Sequence, residues 1–268
     1  MALPILYSLR NCPYAMRARI AIFKSHQPVA LRDLVLTDKP AAMILASPKA
    51  TVPILVLDEN SPFKEDNARG NKALSEASTN RAEDNRVVID ESLDIMLWAL
   101  KKSDPNNLLH TDNRVNLPIK PDEKVNTFPN KTNKTNKTNE KLNEMLALIT
   151  EFDVEFKLRL EAYKCAKRYH ETNLNECRAA CEHYIQLLES RLIQHDYLFS
   201  AQESLADIAL LPFIRQFARI ERQWYLQSPY PKLKNWLNRY LQSPMFTRVM
   251  AKHPLWLECG EEVIFVGK

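Results

Sequence analysis

A short apolar run followed by a Cys-Pro pair constrains this chain more than any other feature of its sequence. The run covers residues 3–7 and ends at polar residues; Cys12 and Pro13 follow, and apolar residues then recur at helical spacing over 15–22. Proline is favoured at the first position of a helix, where its missing N–H costs nothing. The pattern therefore predicts a strand, then a helix that begins at Pro13 and has Cys12 at its N-cap.

The position of Cys12 predicts a reactive thiol. Unpaired backbone N–H groups and the positive end of the helix dipole favour a thiolate over a thiol, and Arg17 and Arg19 add positive charge nearby. Ala15 stands where a Cys-x-x-Cys pair would have its second cysteine, so a disulfide formed at Cys12 must be released by a thiol from solution. Glutathione is the obvious candidate. The alternative is a buried cysteine that merely opens a helix.

A second segment, Val52-Pro53, precedes an apolar run typical of a β-strand. Proline is tolerated at the first residue of a strand. A cis Val52–Pro53 bond would turn the N–H and C=O of Val52 outward, where they could pair with an extended peptide. The tripeptide around Pro53 fits a trans bond equally well, in which case the proline only begins the strand.

A third segment, Glu91-Ser92, stands where an apolar helical pattern begins. A serine hydroxyl and free backbone N–H groups bind a carboxylate, and Glu91 could accept a hydrogen bond from an ammonium group. Together they suit the head group of an amino acid. The alternative is an ordinary helix cap.

Taken in order, these segments resemble the N-terminal, thioredoxin-like domain of the glutathione transferases, and most closely the cysteine-type branch with the omega class and related bacterial proteins. The matching residues are Tyr7, Ser8, Cys12, Pro13, Tyr14, Ala15, Arg17, Lys39, Pro40, Val52, Pro53, Glu91 and Ser92. A second match runs from Ser204 to Leu210 and resembles the folding signature of the family, in which Ser204 caps a helix and Asp207 completes a capping box.

The resemblance implies a role for each matched residue. Cys12 would be the catalytic thiol that forms a mixed disulfide with glutathione, which is the co-substrate. Val52 would pair with the main chain of the cysteinyl unit, and Pro53 would be a cis proline. Glu91 and Ser92 would hold the γ-glutamyl end.

The same resemblance implies that Lys39 reaches the glycine carboxylate of glutathione; the alternative is an ordinary surface lysine. It further implies a homodimer and a hydrophobic or thiol-containing second substrate.

The predicted fold class is α/β plus all-α, that is, a thioredoxin-like domain followed by a helical domain. The first domain spans 1–105 and carries an insertion at about 58–86, a stretch almost without large apolar side chains. A low-complexity linker with a Lys-Thr-Asn repeat spans 106–140. From residue 141 apolar residues follow helical spacing, so 141–268 is predicted to be all-helical.

Composition excludes several function classes. The chain has only three glycines, which excludes a P-loop or a dinucleotide fingerprint, and its formal charge of +4 is too small to indicate nucleic-acid binding. No apolar run has the length of a membrane span, and the sequence enters a strand with no signal peptide before it. Five cysteines, an odd number, fit a reducing compartment. We therefore expect a cytoplasmic protein.

A metal site is not predicted. Cys177 and Cys181 lie at helical spacing with His183 close by, but two further ligands at a recognised spacing are missing. We interpret both thiols as core residues.

The predicted function is a glutathione-dependent thiol transferase that uses Cys12 to reduce mixed disulfides or glutathionyl adducts. One alternative is conventional conjugation, in which Tyr7 or Ser8 stabilises the thiolate of glutathione for attack on an electrophile. Another is a regulatory or scaffold module, which the two long inserts favour.

Overall fold

The computed structural model describes residues 2–57, 87–111 and 132–267, with the backbone alone for 132–139. Within these residues the chain forms five β-strands, eleven α-helices and one π-helical turn. In chain order they are β1 Ile5–Ser8, α1 Pro13–Lys24, β2 Val29–Asp33, α2 Ala41–Ala46, β3 Ile54–Leu57, β4 Val87–Ile89, α3 Ser92–Lys102, α4 Thr132–Glu151, the π-helical turn Phe152–Phe156, α5 Lys157–Tyr169, α6 Leu174–Gln194, α7 Leu205–Ile220, α8 Arg222–Gln227, α9 Pro231–Leu241, α10 Pro244–Val249, α11 Trp256–Cys259 and β5 Val263–Phe265.

The elements divide into two units, one made of Met1–Ser103 with Ser243–Lys268 and the other of Asp104–Gln242. The first unit is built on a sheet with the strand order β4-β3-β1-β2-β5. Strands β1 and β2 are parallel and joined by α1, whereas all other neighbouring strands are antiparallel. The β1-α1-β2 unit, the β3–β4 pair and α3 make a thioredoxin-like domain, which confirms the predicted fold. The predicted insertion at 58–86 lies outside the described residues.

The last part of the chain differs from the predicted domain boundary. Residues 243–268, which the sequence analysis assigned to the helical domain, belong to the sheet-containing unit. Strand β5 pairs antiparallel with β2, with Phe265 opposite Val29. The backbone approaches closely beyond the strand, since a Cβ added to Gly267 would lie 1.8 Å from the carbonyl oxygen of Phe23. Helix α10 also packs on α1.

The second unit is helical, as predicted. Its core is formed by the apolar face that the helical spacing indicates, including the fully buried side chains Met145, Ile149, Phe152 and Phe156. Helix α4 begins at Thr132, inside the range 106–140 that was predicted to be a linker; residues 112–131 of that range lie outside the described residues. No helix that the structure describes is both long and apolar enough to span a membrane.

The predicted capping box at the start of α7 is confirmed. The N–H and the hydroxyl of Ser204 both donate to Oδ2 of Asp207, at 3.0 and 2.6 Å. The other carboxylate oxygen of Asp207 accepts from the N–H of Leu198 at 3.0 Å and from the indole N–H of Trp236 at 2.9 Å. The buried carboxylate therefore joins the start of α7 to α9 and to the segment before α7.

Candidate functional site

Cys12 occupies the N-cap of α1, as the sequence predicts. Its backbone is extended, with φ −74° and ψ 125°, and Pro13 is the first residue of the helix. The Cys12 N–H donates to the carbonyl of Leu9 at 3.0 Å, and its own carbonyl accepts from the N–H of Met16 at 2.9 Å. The side chain makes no capping hydrogen bond and is half-buried. Main-chain hydrogen bonds thus hold Cys12 in place, while its thiol makes no hydrogen bond to the start of the helix.

The main chain of Val52 lies beside this thiol. Sγ of Cys12 is 3.8 Å from the carbonyl oxygen of Val52, although the two residues are 40 positions apart. The Val52–Pro53 peptide bond is cis, as the resemblance implies. Pro53 is buried directly before β3, whereas Val52 is half-buried. The first and second predicted segments are therefore in contact.

The third predicted segment is joined to α1 through Arg17. Ser92 is the first residue of α3, and its Oγ accepts a hydrogen bond from Nε of Arg17 at 3.0 Å. Both side chains are buried, and the guanidinium of Arg17 also lies over the ring of Tyr14, 5.1 Å from its centroid. A guanidinium can only donate, so the Ser92 oxygen serves as the acceptor here and its own O–H is a separate donor. The sequence analysis included Arg17 among the residues that match the family and as nearby positive charge, but did not predict its contact with Ser92.

Glu91, at the N-cap of α3, is paired with a lysine that the sequence analysis missed. Nζ of Lys49 lies 3.0 Å from Oε1 of Glu91 and 3.4 Å from Oδ1 of Asp90. The hydroxyl of Ser47 donates to the other oxygen of Asp90 at 2.9 Å. Hydrogen bonds to Glu91 and Asp90 raise the pKa of Lys49. No local pattern signals this contact, because Lys49 and Glu91 are 42 positions apart.

The start of α3 carries a further acid, Asp94, in its first turn. Burial raises the pKa of Asp94, and the negative charges of Glu91 and Asp90 act in the same direction. Three carboxylates therefore lie near this helix end, and the positive charges of Lys101 and Lys49 oppose their effect on Asp94.

Lys39 is the predicted site residue for which the described part of the chain shows no contact with the others. It is half-buried in the segment between β2 and α2. Among the described residues it forms no hydrogen bond or ion pair with Cys12, Val52, Glu91 or Ser92. Its assignment to the glycine carboxylate stays a prediction.

The two hydroxyls that a conjugation mechanism would need are engaged by arginines. Tyr7 is 2% exposed, and its hydroxyl accepts from Arg32 at 2.9 Å. Ser8 is fully buried, and its hydroxyl accepts from Nε of Arg19 at 2.7 Å. Arg19 in turn pairs with Asp33 inside the same unit. Both hydroxyls thus act as acceptors within the sheet-containing unit, and each keeps its own O–H as a donor.

The cysteine pair of α6 lies in a different environment from Cys12. Burial raises the pKa of Cys181 to about 12, and Cys177 is half-buried. The ring of His183 packs edge-on against Tyr184, with 5.3 Å between centroids. Within the described ranges, no three His, Cys, Asp or Glu side chains are grouped so that they could hold a metal ion.

Two family sequence profiles match the chain, and together they span most of it. The profile described as "Glutathione S-transferase, N-terminal domain" matches residues 6–107, and the profile described as "Glutathione S-transferase, C-terminal domain" matches residues 154–239. The first profile covers the chain from β1 to α3, and the second covers it from α5 to α9. A comparison with curated protein sequences gives no match.

Solved structures share the fold at low sequence identity. A glutathione transferase family member from Pseudomonas fluorescens Pf-5, with two glutathione bound, is 14% identical, with 92% of each chain covered and a TM-score of 0.63. A glutathione transferase from Pseudomonas putida, with one glutathione disulfide bound per subunit, is 12% identical, with 94% of this chain and 92% of that chain covered and a TM-score of 0.66. Glutathione transferase Omega 2C from Trametes versicolor is 16% identical, with 93% of each chain covered and a TM-score of 0.60.

Proposed function

We propose a thiol-transferase function from the premise that this chain belongs to the glutathione S-transferase family, to which both matched domains assign it. The proposed enzyme is glutathione-dependent and uses Cys12 as its nucleophile. One observation carries the proposal: Cys12 is the N-cap residue of α1, and its thiol makes no capping hydrogen bond but lies beside the main chain of Val52. The thiolate is the attacking species in thiol–disulfide exchange.

Glutathione is the proposed co-substrate, and its binding residues are those that the resemblance implies. The cysteinyl unit would pair with the main chain of Val52, next to Pro53, so that its sulfur meets Cys12. The γ-glutamyl end would bind at Glu91 and Ser92, where the O–H of Ser92 can donate to a carboxylate. Structural relatives that hold glutathione or its disulfide support glutathione as the co-substrate.

The proposed cycle has two thiol–disulfide exchanges. First, the Cys12 thiolate attacks the glutathionyl sulfur of a mixed disulfide, so that a bond forms between the two sulfurs and the substrate leaves as a thiolate. Second, the thiolate of another glutathione attacks the Cys12 mixed disulfide, which releases glutathione disulfide and restores the Cys12 thiolate. Ala15 offers no second thiol in the first turn, so the reductant comes from solution.

Conjugation of electrophiles is the weaker proposal. It needs a hydroxyl donor rather than a nucleophile, and here the Cys12 thiol lies at the N-cap of α1, beside the main chain of Val52. A scaffold role would be favoured by the insert at 58–86, which lies outside the described residues. A scaffold has no need for the contact between Cys12 and Val52.

The proposal also covers the second substrate, the oligomeric state and the location of the protein. We propose a hydrophobic or thiol-containing second substrate, a homodimer and a cytoplasmic location, and no nucleic-acid or membrane partner. Light scattering coupled to gel filtration would measure the mass of the particle directly.

Turnover of a glutathionylated peptide tests the mechanism. Cys12→Ser should lower the rate at least about a hundredfold, because the nucleophile is lost. Binding of glutathione by calorimetry should persist, because the other predicted contacts remain. Cys259→Ser is the matched control, since Cys259 is also a free cysteine of the same unit. A Cys12→Ser protein that keeps the wild-type rate would refute the cysteine mechanism.

A further inference from the structure

The contact between Lys49 and Glu91 places a protonated amine on the carboxylate that the proposed function assigns to the ammonium of glutathione. Nζ of Lys49 lies 3.0 Å from Oε1 of Glu91. The α-ammonium of the γ-glutamyl unit is the same chemical group, a protonated primary amine with three donors. Glu91 therefore already holds a cation like the one that the ligand would bring.

We propose that Lys49 is a specificity-determining residue that competes with the α-ammonium of glutathione for Glu91. In this scheme Lys49 leaves Glu91 when the ligand binds and keeps its contact with Asp90. The inference rests on the proposed function, because it takes Glu91 as the ammonium-binding residue.

The contacts of Asp90 make such an exchange feasible. One oxygen of Asp90 lies 3.4 Å from Nζ of Lys49, while the other accepts from the hydroxyl of Ser47 at 2.9 Å. Asp90 is thus fixed by Ser47 and gives the lysine a second acceptor at the same place. The lysine can move between two neighbouring carboxylates without leaving the helix end.

The exposure of the pair makes the exchange inexpensive. The side chains of Lys49 and Glu91 are 57% and 65% exposed. Ion pairs in such surroundings are weak, because water screens both charges. Two ammonium groups that share one carboxylate repel each other, so the ligand does not gain the full attraction of Glu91 while Lys49 stays there. Lys49 therefore lowers the preference of the site for a ligand with a free α-ammonium.

Two ligands that differ only in this ammonium provide the test. The first is S-methylglutathione, whose blocked sulfur cannot exchange with a thiol. The second is S-methyl glutaryl-cysteinylglycine, which keeps the terminal carboxylate and lacks the amino group. Affinities of both for the full-length wild type and for Lys49→Gln would be measured by calorimetry at low salt and at about 1 M salt, where the Debye length falls to about 3 Å.

The proposal predicts that Lys49→Gln changes the affinity for the two ligands differently. Lys49→Gln should bind S-methylglutathione about two- to fivefold more tightly, which is the scale of an exposed ion pair, and the gain should vanish at high salt. The same substitution should not tighten binding of the ligand without the amino group. Lys49→Arg keeps the charge and should behave as the wild type. Lys252→Gln removes an exposed charge elsewhere in the same unit and should change neither affinity.

Several results would overturn the proposal. Unchanged or weaker binding of S-methylglutathione by a normally melting Lys49→Gln protein would show that Lys49 does not compete for Glu91. Equal tightening of both ligands would show that the effect of Lys49 does not depend on the α-ammonium. A wild type that binds neither ligand would refute the proposed function itself, which is a distinct outcome from wild-type binding without a Lys49 effect.

Discussion

At the residue scale, the buried Arg17 supports the candidate site in addition to its nucleophile. Arg17 links α1, which carries Cys12, to α3, which carries Ser92. The hydrogen bond from Nε of Arg17 orients the Ser92 hydroxyl, which leaves its O–H to donate to another acceptor. This makes Arg17 a positioning residue for the γ-glutamyl carboxylate in the proposed function.

Arg17→Lys should weaken glutathione binding about tenfold, because a lysine cannot reproduce the Nε donor and a hydrogen bond to a charged group is worth about 1.5–3 kcal/mol. The measurement is a double-mutant cycle with Ser92→Ala, in which each affinity is determined by calorimetry beside the thermal midpoint. In the Ser92→Ala background the Arg17 substitution should add almost nothing. Additive losses in the double variant would mean that Arg17 affects binding by a route other than Ser92.

At the element scale, carboxylates from neighbouring segments hold the ends of the helices in the second unit. Glu189 of α6 accepts from the N–H groups of Lys232 and Leu233, at 3.0 and 2.7 Å, and so satisfies the start of α9. Asp207 does the same within α7 and also binds Trp236 of α9. The capping box could be predicted, because it is encoded by residues three positions apart. The Glu189 contact could not, because it joins residues 43 positions apart or more.

Asp207 gives the helical unit a pH-dependent stability. Burial raises the pKa of Asp207 to about 6, although hydrogen bonds from Ser204, Leu198 and Trp236 oppose the shift. The folded protein therefore keeps this proton up to about pH 6, whereas the unfolded chain, with an Asp pKa near 3.9, loses it at lower pH. This contribution to the free energy of unfolding is fully present below about pH 4 and is lost as the pH rises through about 6.

Asp207→Asn, which cannot titrate, isolates this effect. The difference in unfolding free energy between wild type and variant, from urea titrations, should be about 2–3 kcal/mol larger at pH 4 than at pH 7. The other titrating groups are common to both proteins and cancel in the difference. An equal difference at the two pH values would show that Asp207 keeps an ordinary pKa in the folded protein.

At the scale of the whole molecule, the parts that could be predicted are those with a local signal. The Cys-Pro junction, the apolar helical faces and the order of a mixed unit before a helical one all follow from residues close in sequence. The start of α4 could not be predicted from its polar Lys-Thr-Asn repeat. Extending an existing helix costs less than nucleating one, so the amphipathic part of α4 can carry poor helix formers from Thr132 onward.

The placement of 243–268 in the first unit could not be predicted either. Strand β5 is only three residues long, and its partner β2 lies more than 200 positions earlier in the chain. The same segment supplies the carbonyl of Val249, 3.5 Å from a terminal nitrogen of buried Arg19, and Phe265, whose ring lies 6.5 Å from that of Phe23. Stability of the sheet-containing unit should therefore depend on the end of the described chain.

Truncation after Gln242 should strongly destabilise the sheet-containing unit. It exposes the edge of β2, removes the helix α10 that packs on α1, and removes the Val249 carbonyl that accepts from buried Arg19. Hydrogen exchange read by mass spectrometry should show protection lost over 5–57 and retained over 140–242.

Gly267→Ala provides a graded version of the same test. Its Cβ would lie 1.8 Å from the carbonyl oxygen of Phe23, so β5 has to move away, and protection should fall at β5 and β2 alone. Gly260→Ala is the matched control: it has no atom within 4 Å of the new Cβ and loses only about 1 kcal/mol from its φ of +65°. Unchanged protection over 5–57 in the truncated chain would mean that the four strands β1 to β4 are stable without β5 and α10.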